Sequence, residues 1–254
     1  MEIIETVEAM QTRAEELRLA GKVLALVPTM GFLHEGHLEL MRVGRKQADI
    51  LMISIFVNPT QFGPNEDYEK YPRDTEGDLA KVRSVGVDIV YFPDAGEMYP
   101  EGHQTNVSVQ KVTKHLCGLS RPGHFDGVTT VVAKLFNATK PHLAIFGQKD
   151  YQQLTVISRM VQDLNMDIQI VGVPTVREPD GLAMSSRNSY LTPEERKSAL
   201  CLKKSLDLTE ALFRQGETNA ETIKKSIEEL VLSHPHTRID YINICDPTTL
   251  EDIE

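Results

Sequence analysis

Between residues 23 and 173, short apolar runs alternate with segments of helical period, and this alternation limits the possible folds more than any other feature. The runs are Val23 to Val27, Ile50 to Val57, Val87 to Phe92, His142 to Phe146 and Ile168 to Val173. Nearly continuous apolar strands suit a parallel sheet covered on both faces. The helical segments between them make βαβ units, so the expected fold is α/β, a Rossmann-like doubly wound parallel sheet. Helices are expected from Thr6 to Ala20, from near Gly36, around Asp74 to Val85, over Val128 to Ala138, and from an Asp150 cap through Leu164. Val7, Met10, Ala14 and Leu17 form the inward stripe of the first helix. A chain of 254 residues with 41% hydrophobic side chains can bury a core of this size, and its length corresponds to one or two domains.

The pattern changes near residue 176. Thr192-Pro-Glu-Glu195 forms a capping box with proline at the first helical position. The helix it opens carries Ala199, Leu202, Leu206 and Leu212. Asn219 caps another, with Ile223, Ile227 and Leu230, and Arg238 to Cys245 reads as a strand facing inward at Ile242 and Ile244. The expected division is a Rossmann-like domain over 1–175 and a smaller C-terminal α+β lid domain over 176–254. A lone strand close to Glu254 would need sheet partners, so the natural chain is expected to continue and this domain to be truncated.

Several function classes are excluded. Lys and Arg number 27 against 37 Asp and Glu, and a net charge of −10 argues against general binding to nucleic-acid backbone. The run from Ala48 to Val57 falls well short of the ~20 apolar residues a membrane span needs. The acidic N-terminus is unlike a signal peptide. Cys117, Cys201 and Cys245 lack metal-site spacing and read as reduced cytoplasmic thiols. No G-x-G-x-x-G follows the first strand, which counts against a dehydrogenase.

Chemistry concentrates at the ends of the strands, where open α/β sheets bind ligands. Pro28-Thr-Met30-Gly31-Phe32-Leu33-His34-Glu35-Gly36-His37 follows the first strand and opens a helix. Free N–H groups at a helix N-terminus attract phosphate. Imidazoles three residues apart share one helical face, and Gly36 admits a flat ring or phosphate close to the backbone. The His pair could instead be half of a zinc site, but no third ligand stands at useful spacing. Gly147-Gln148-Lys149-Asp150 lies at an equivalent turn, where Lys149 supplies a point charge and Asp150 can cap the helix or bond a ribose. Gly181 to Asn188, with Met184, Ser185, Ser186 and Arg187, reads as a mobile loop able to cover phosphates. Asn58 and Gln61 after the second strand offer neutral amides, as does Gln153. Arg121 to Gly127 brings a cationic group toward an acid, or only shapes a turn.

The segments PTMGFLHEGH, FVNPTQF, RPGHFDGV, FGQKDYQQL and VGVPTVREPDGLAMSSRN occur in order, and with them the chain resembles the pantothenate synthetase family. That family belongs to the cytidylyltransferase-like nucleotidyltransferases, related to class I aminoacyl-tRNA synthetases. The resemblance implies ATP-dependent condensation of D-pantoate with β-alanine through a pantoyl adenylate, with Mg²⁺, in a cytoplasmic homodimer. It implies that Met30 to His37, Gly147 to Asp150, Val176 and Met184 to Arg187 bind ATP. His34, His37, Lys149 and Arg187 would act in catalysis, with His37 the family's usual proton donor, and Gln61 and Gln153 would hold pantoate. In the run Arg73-Asp-Thr-Glu-Gly77-Asp78, Gly77 interrupts the consecutive acids found in some relatives, so the metal ligands are left unassigned.

The chemistry is consistent with these residues. A carboxylate becomes an acyl donor when it attacks the α-phosphorus of ATP, because AMP is then its leaving group. That step needs cations and positioned donors more than a protein nucleophile. Two other readings stay open. A nucleotidylyltransferase acting on a phosphate acceptor would favour added arginines or lysines over Gln61 and Gln153. An ATP-binding regulatory module would bind nucleotide without releasing pyrophosphate.

Overall fold

The computed structural model describes residues 1–253. In chain order the elements are β1 (Glu2–Ile4), α1 (Val7–Leu19), β2 (Leu24–Thr29), α2 (Glu35–Arg45), β3 (Ile50–Ile55), α3 (Thr75–Ser84), β4 (Ile89–Tyr91), α4 (Ala95–Met98), α5 (Cys117–Ser120) and α6 (His124–Thr139). Then come β5 (Leu143–Gly147), α7 (Tyr151–Asp163), β6 (Gln169–Val173), α8 (Pro193–Ala199), α9 (Cys201–Arg214) and α10 (Ala220–Leu232). The six strands form one sheet in the order β1-β4-β3-β2-β5-β6, and every pairing is parallel.

Successive strand side chains point to opposite faces, and both faces are dry. Leu24 and Leu26 enter one core with Met10 and Ala14 of α1, Val132 and Phe136 of α6, and Ile157 of α7. Ala25 and Val27 enter the other with Met41 of α2 and Val82 of α3. From β2 the chain winds outward to β3 and β4, then returns to place β5 on the other side of β2. The reversal opens a crevice above the C-terminal ends of β2 and β5, where doubly wound sheets bind ligands.

Three local expectations need correction. The strand expected over Arg238 to Cys245 does not form. Cys245 makes a single antiparallel bridge to Asp252. The intervening chain turns back because Asp246 Oδ1 accepts from the amides of Thr248 and Thr249, each at 2.8 Å. That turn delivers Leu250, 1% exposed, into the core shared by α1 and α6. The helix opened by Thr192 breaks at Leu200 into α8 and α9, and Leu202 and Leu206 are exposed. The sequence reading also missed β1, whose three residues on an outer edge are too few to show a period. Among the described residues no helix is long and apolar enough to cross a membrane.

Candidate active site

A cleft of about 260 Å³ lies over the crevice between β2 and β5. Its floor is the turn from β2 to α2. His34 stands at the N-cap of α2, and its Nδ1 accepts the Gly36 amide at 3.1 Å. His37 Nδ1 accepts the His34 amide at 3.2 Å. The two rings lie with centroids 4.0 Å apart and planes tilted by 33°. Each Nδ1 is an acceptor, so each neutral ring carries its proton on Nε2 and keeps that N–H as its remaining donor. Burial holds His34 down at about 4, and nearby Lys149 and Lys81 add to the effect. Burial, then the neighbouring His34, then the same lysines hold His37 down at about 3. At neutral pH the pair therefore presents two uncharged N–H donors. Gly36 has a specific reason to be glycine, because a Cβ there would stand 2.8 Å from His34 Cε1. The flat ring it admits is that of its own cap residue.

Lys149 lines the opposite wall, in a 3-10 turn over Gln148–Asp150. Asp150 stands at the N-cap of α7 but makes no side-chain capping bond, and its carboxylate lies 3.4 Å from Lys149 Nζ. The third wall is the Met184–Arg187 loop. Ser186 is buried and donates to the Phe32 carbonyl at 3.1 Å. Arg187 makes two 2.8 Å hydrogen bonds to Asp67 and lies 5.4 Å above the Tyr71 ring. To grip a phosphate in the same way it must exchange Asp67 for phosphoryl oxygens.

The amides sit deeper. Asn58, 1% exposed, donates to Gln61 Oε1 and to the Gly127 carbonyl, each at 3.1 Å. Its Oδ1 accepts the Tyr99 hydroxyl at 2.8 Å. Gln61 Oε1 is therefore occupied, and Gln61 Nε2 points to Met30 Sδ at 3.2 Å. Gln153 lines the same cleft, and its side chain has no hydrogen-bond partner among the described residues. Its neighbour Gln152 is buried and clamps the loop below through the Cys117 amide and the carbonyls of Val112 and His115. Helix α6 supplies an apolar wall through Val128, Val131, Val132 and Leu135.

The cleft brings together Met30, His34, Gly36, His37, Gln61, Gly147, Lys149, Asp150, Gln153, Val176, Met184, Ser185, Ser186 and Arg187. Five residues of the expected ATP set lie elsewhere. Gly31 and Phe32 face a second cleft on the far side of the turn. Leu33 is core, Glu35 pairs outward with Arg42, and Gln148 lies beside Gly172. The expected set omitted Tyr71, Arg121 and His124, which also line the cleft. Arg121 is tied to Glu66, and His124 Nδ1 lies 2.8 Å from the Gln61 carbonyl. The signal for both lies in RPGHFDG, which carries the cationic Arg121 and the imidazole of His124.

No group of three His, Cys, Asp or Glu side chains among the described residues could hold a metal ion. The acids near the cleft already have partners, since Asp67 holds Arg187 and Asp78 holds backbone amides. The site does not supply a protein cage for Mg²⁺, but it does not hinder an ion carried by phosphates and water.

The sequence pattern of pantoate-beta-alanine ligase matches residues 2–254. The pantothenate synthetase of Syntrophus aciditrophicus is 60% identical over 254 residues, all of this chain and 89% of that protein. That of Geobacter sulfurreducens is 57% identical over all of this chain and 90% of its own. A crystal structure of the Thermus thermophilus pantothenate synthetase superposes with a TM-score of 0.95 at 45% identity, covering 100% of this chain and 90% of that one. A Francisella tularensis pantoate-beta-alanine ligase, complexed with beta-gamma ATP and beta-alanine, superposes with a TM-score of 0.78 at 36% identity, covering 91% and 86%.

Proposed function

The chain belongs to the pantoate-beta-alanine ligase family, and from that premise we propose how its cleft performs the ligation. The protein condenses pantoate with β-alanine using ATP. The pantoate carboxylate oxygen attacks the α-phosphorus, the bond to the β-phosphate oxygen breaks, and pyrophosphate leaves. The β-alanine amine then attacks the acyl carbon of the pantoyl adenylate, gives up a proton, and AMP leaves.

Each wall has a task in this reading. The Nε2–H groups of His34 and His37 donate to the phosphates where negative charge builds up. Donors fixed before the reaction need no reorganisation during it. Lys149 and Arg187 neutralise the triphosphate, the first as a point charge and the second as a fork. His37 is neutral at pH 7 and acts first as a hydrogen-bond donor; phosphate beside it would raise its affinity for a proton. Gln61 offers the N–H now turned to Met30 Sδ to the acid without adding charge, and Gln153 supplies an amide whose groups are free among the described residues. Met30, Gly147, Val176 and Met184 frame the nucleotide. Mg²⁺ would come with the nucleotide and offset phosphate charge, since no cluster of three ligating side chains among the described residues stands ready to hold it.

The reading further takes residues 1–175 as the ATP and pantoate domain and 176–254 as a lid. The bonds from Ser186 to Phe32 and from Arg187 to Asp67 support it, because they seat the 184–187 loop, which lines the cleft, on the first part. The family resemblance carries the expectation of a cytoplasmic homodimer, which light scattering on the purified protein tests.

One observation carries the functional reading: neutral His N–H donors and uncharged glutamine amides share one cleft at the sheet's switch point. The test is pyrophosphate release with ATP, Mg²⁺ and pantoate, with and without β-alanine. Release should require pantoate, and the amide product and AMP should require β-alanine. Release that requires a phosphate acceptor instead would favour a nucleotidylyltransferase.

A further inference from the structure

We propose that Asp78 is a positioning residue for the nucleotide: its buried carboxylate holds the peptide groups of Phe32 and Leu33 and so sets where His34 and His37 stand. The inference rests on the reading of the cleft as an ATP site. Asp78 lies in the first turn of α3 and is 1% exposed. Its Oδ2 accepts the Phe32 amide and its Oδ1 the Leu33 amide, both at 2.7 Å. Its one nearby cation, Lys81, stands 3.8 Å away. A carboxylate is kept in a dry site only when its oxygens are paired. Here the pairing is spent almost wholly on two consecutive backbone N–H groups.

Those N–H groups belong to an unusual piece of backbone. Gly31 has φ +83 and Phe32 has φ +48, a left-handed conformation that a bulky residue rarely adopts. Such geometry persists only where its surroundings over-determine it. The Phe32 residue is held at both ends, its N–H by Asp78 and its C=O by Ser186. Two residues later the chain reaches the His34 cap. The close fit leaves little slack, since a Cβ on Gly31 would lie 3.1 Å from Asp78 Oδ2. Through Phe32 the carboxylate also fixes the point on which the Ser186 loop rests. Asp78 is absent from the lining of the first cleft and lines the second, on the far side of the turn, so it acts on the histidines through the turn.

The test uses Asp78→Asn in the full chain. An amide side chain accepts with its oxygen alone, and its nitrogen would point an N–H at a backbone N–H. The turn should then relax. A misplacement of ~1 Å at a positioned group costs on the order of a hundredfold, and a loss of that size is expected in kcat/KM for ATP. The KM for pantoate should be unchanged. In amide NMR spectra the Phe32 and Leu33 protons, donated to a short charged acceptor, should lie far downfield in the wild type. They should move upfield in the variant. If Asp78→Asn does not fold, Asp78→Glu is read in the same way, because it keeps the charge and pushes the turn by one methylene. The proposal is overturned if a folded variant keeps wild-type ATP kinetics. It is also overturned if ATP and pantoate constants worsen together while both amide signals stay in place, which is the mark of a general loss of stability. Wild-type protein without pantoate-dependent pyrophosphate release would instead refute the functional reading, and the amide signals would still report on the clamp.

Discussion

Replacing Gly127 by alanine should impair acid binding while leaving the identity of every residue that faces the acid unchanged. Gly127 is buried in the first turns of α6, and its carbonyl accepts from Asn58. A Cβ added there would lie 2.4 Å from the Thr60 carbonyl oxygen and 2.7 Å from Gln61 Cα. Restoring tolerable contact requires the 59–61 turn to retreat by about 0.6 to 1 Å, because carbon and oxygen at ordinary contact stand well beyond 3 Å apart. Two effects on stability oppose each other. Alanine favours a helix interior over glycine by ~0.8–1 kcal/mol, while overpacking costs ~1–3 kcal/mol. The net loss is thus about 0–2 kcal/mol, a drop of at most several degrees in melting temperature for a chain of this size. The functional loss should be larger. A displacement approaching 1 Å moves Gln61 off its donor position and should lower kcat/KM for pantoate by roughly tenfold to a hundredfold. The KM for ATP should hold, since His34, His37 and Lys149 lie on other elements. Steady-state kinetics with each substrate varied in turn, with a melting curve, measure all three quantities. Saturation at wild-type pantoate concentrations in a folded Gly127→Ala protein would refute the reasoning, because the turn would then yield without carrying Gln61.

Three further outcomes are expected. Gln61→Glu keeps the acceptor that Asn58 holds but turns a charge toward an acid, a repulsion of ~1–4 kcal/mol; titration calorimetry should find ATP binding intact and pantoate binding lost, and unchanged pantoate affinity would remove Gln61 from the acid site. Arg187→Lys keeps the charge but cannot make the paired bonds seen with Asp67; its KM for ATP should rise clearly, and wild-type kinetics would reduce the loop to a charge or to nothing. The last outcome concerns pH. His37 is held at about 3, below the usual histidine value, so between that value and about 6.5 the unfolded chain binds more protons than the folded one. The stability this contributes is present above about pH 6.5 and is lost on acidification, by about 2 kcal/mol between pH 7 and 5 for this residue. Urea unfolding of His37→Gln should show a shallower decline over that range than wild type, and parallel declines would contradict the assignment.

Much of the fold was legible because its signals are local. Strands buried on both faces appear as unbroken apolar runs, and turns such as Pro28 to His37 announce themselves through glycine, proline and capping chemistry. Where a signal was short or shared, reading failed. β1 has three residues, and Arg238 to Cys245 has the alternation of a strand without a sheet edge to join. Leu202 and Leu206 fit an amphipathic period yet lie exposed, because a period marks an apolar face and says nothing about what covers it. Asp150 does stand at the N-cap of α7, but its carboxylate makes no capping bond and lies beside Lys149.

The sequence by itself determined the α/β class, the order of the strands along the chain, and which residue types gather at the strand ends, because period and turn chemistry depend on near neighbours. It also carried the family, through five segments long enough to be specific. Only the tertiary structure decided how those residues are used. The proton positions on His34 and His37 depend on which backbone amides their Nδ1 atoms meet. Arg187 finds its partner 120 positions away, Asp78 clamps a turn 46 residues upstream, and Gly127 must be bare because Thr60 lies against it. The last three contacts join segments that follow different strands, which the parallel sheet brings to one edge. A hydrogen bond is decided by where its partner stands in space, and the spacing of residues along the chain does not record that position.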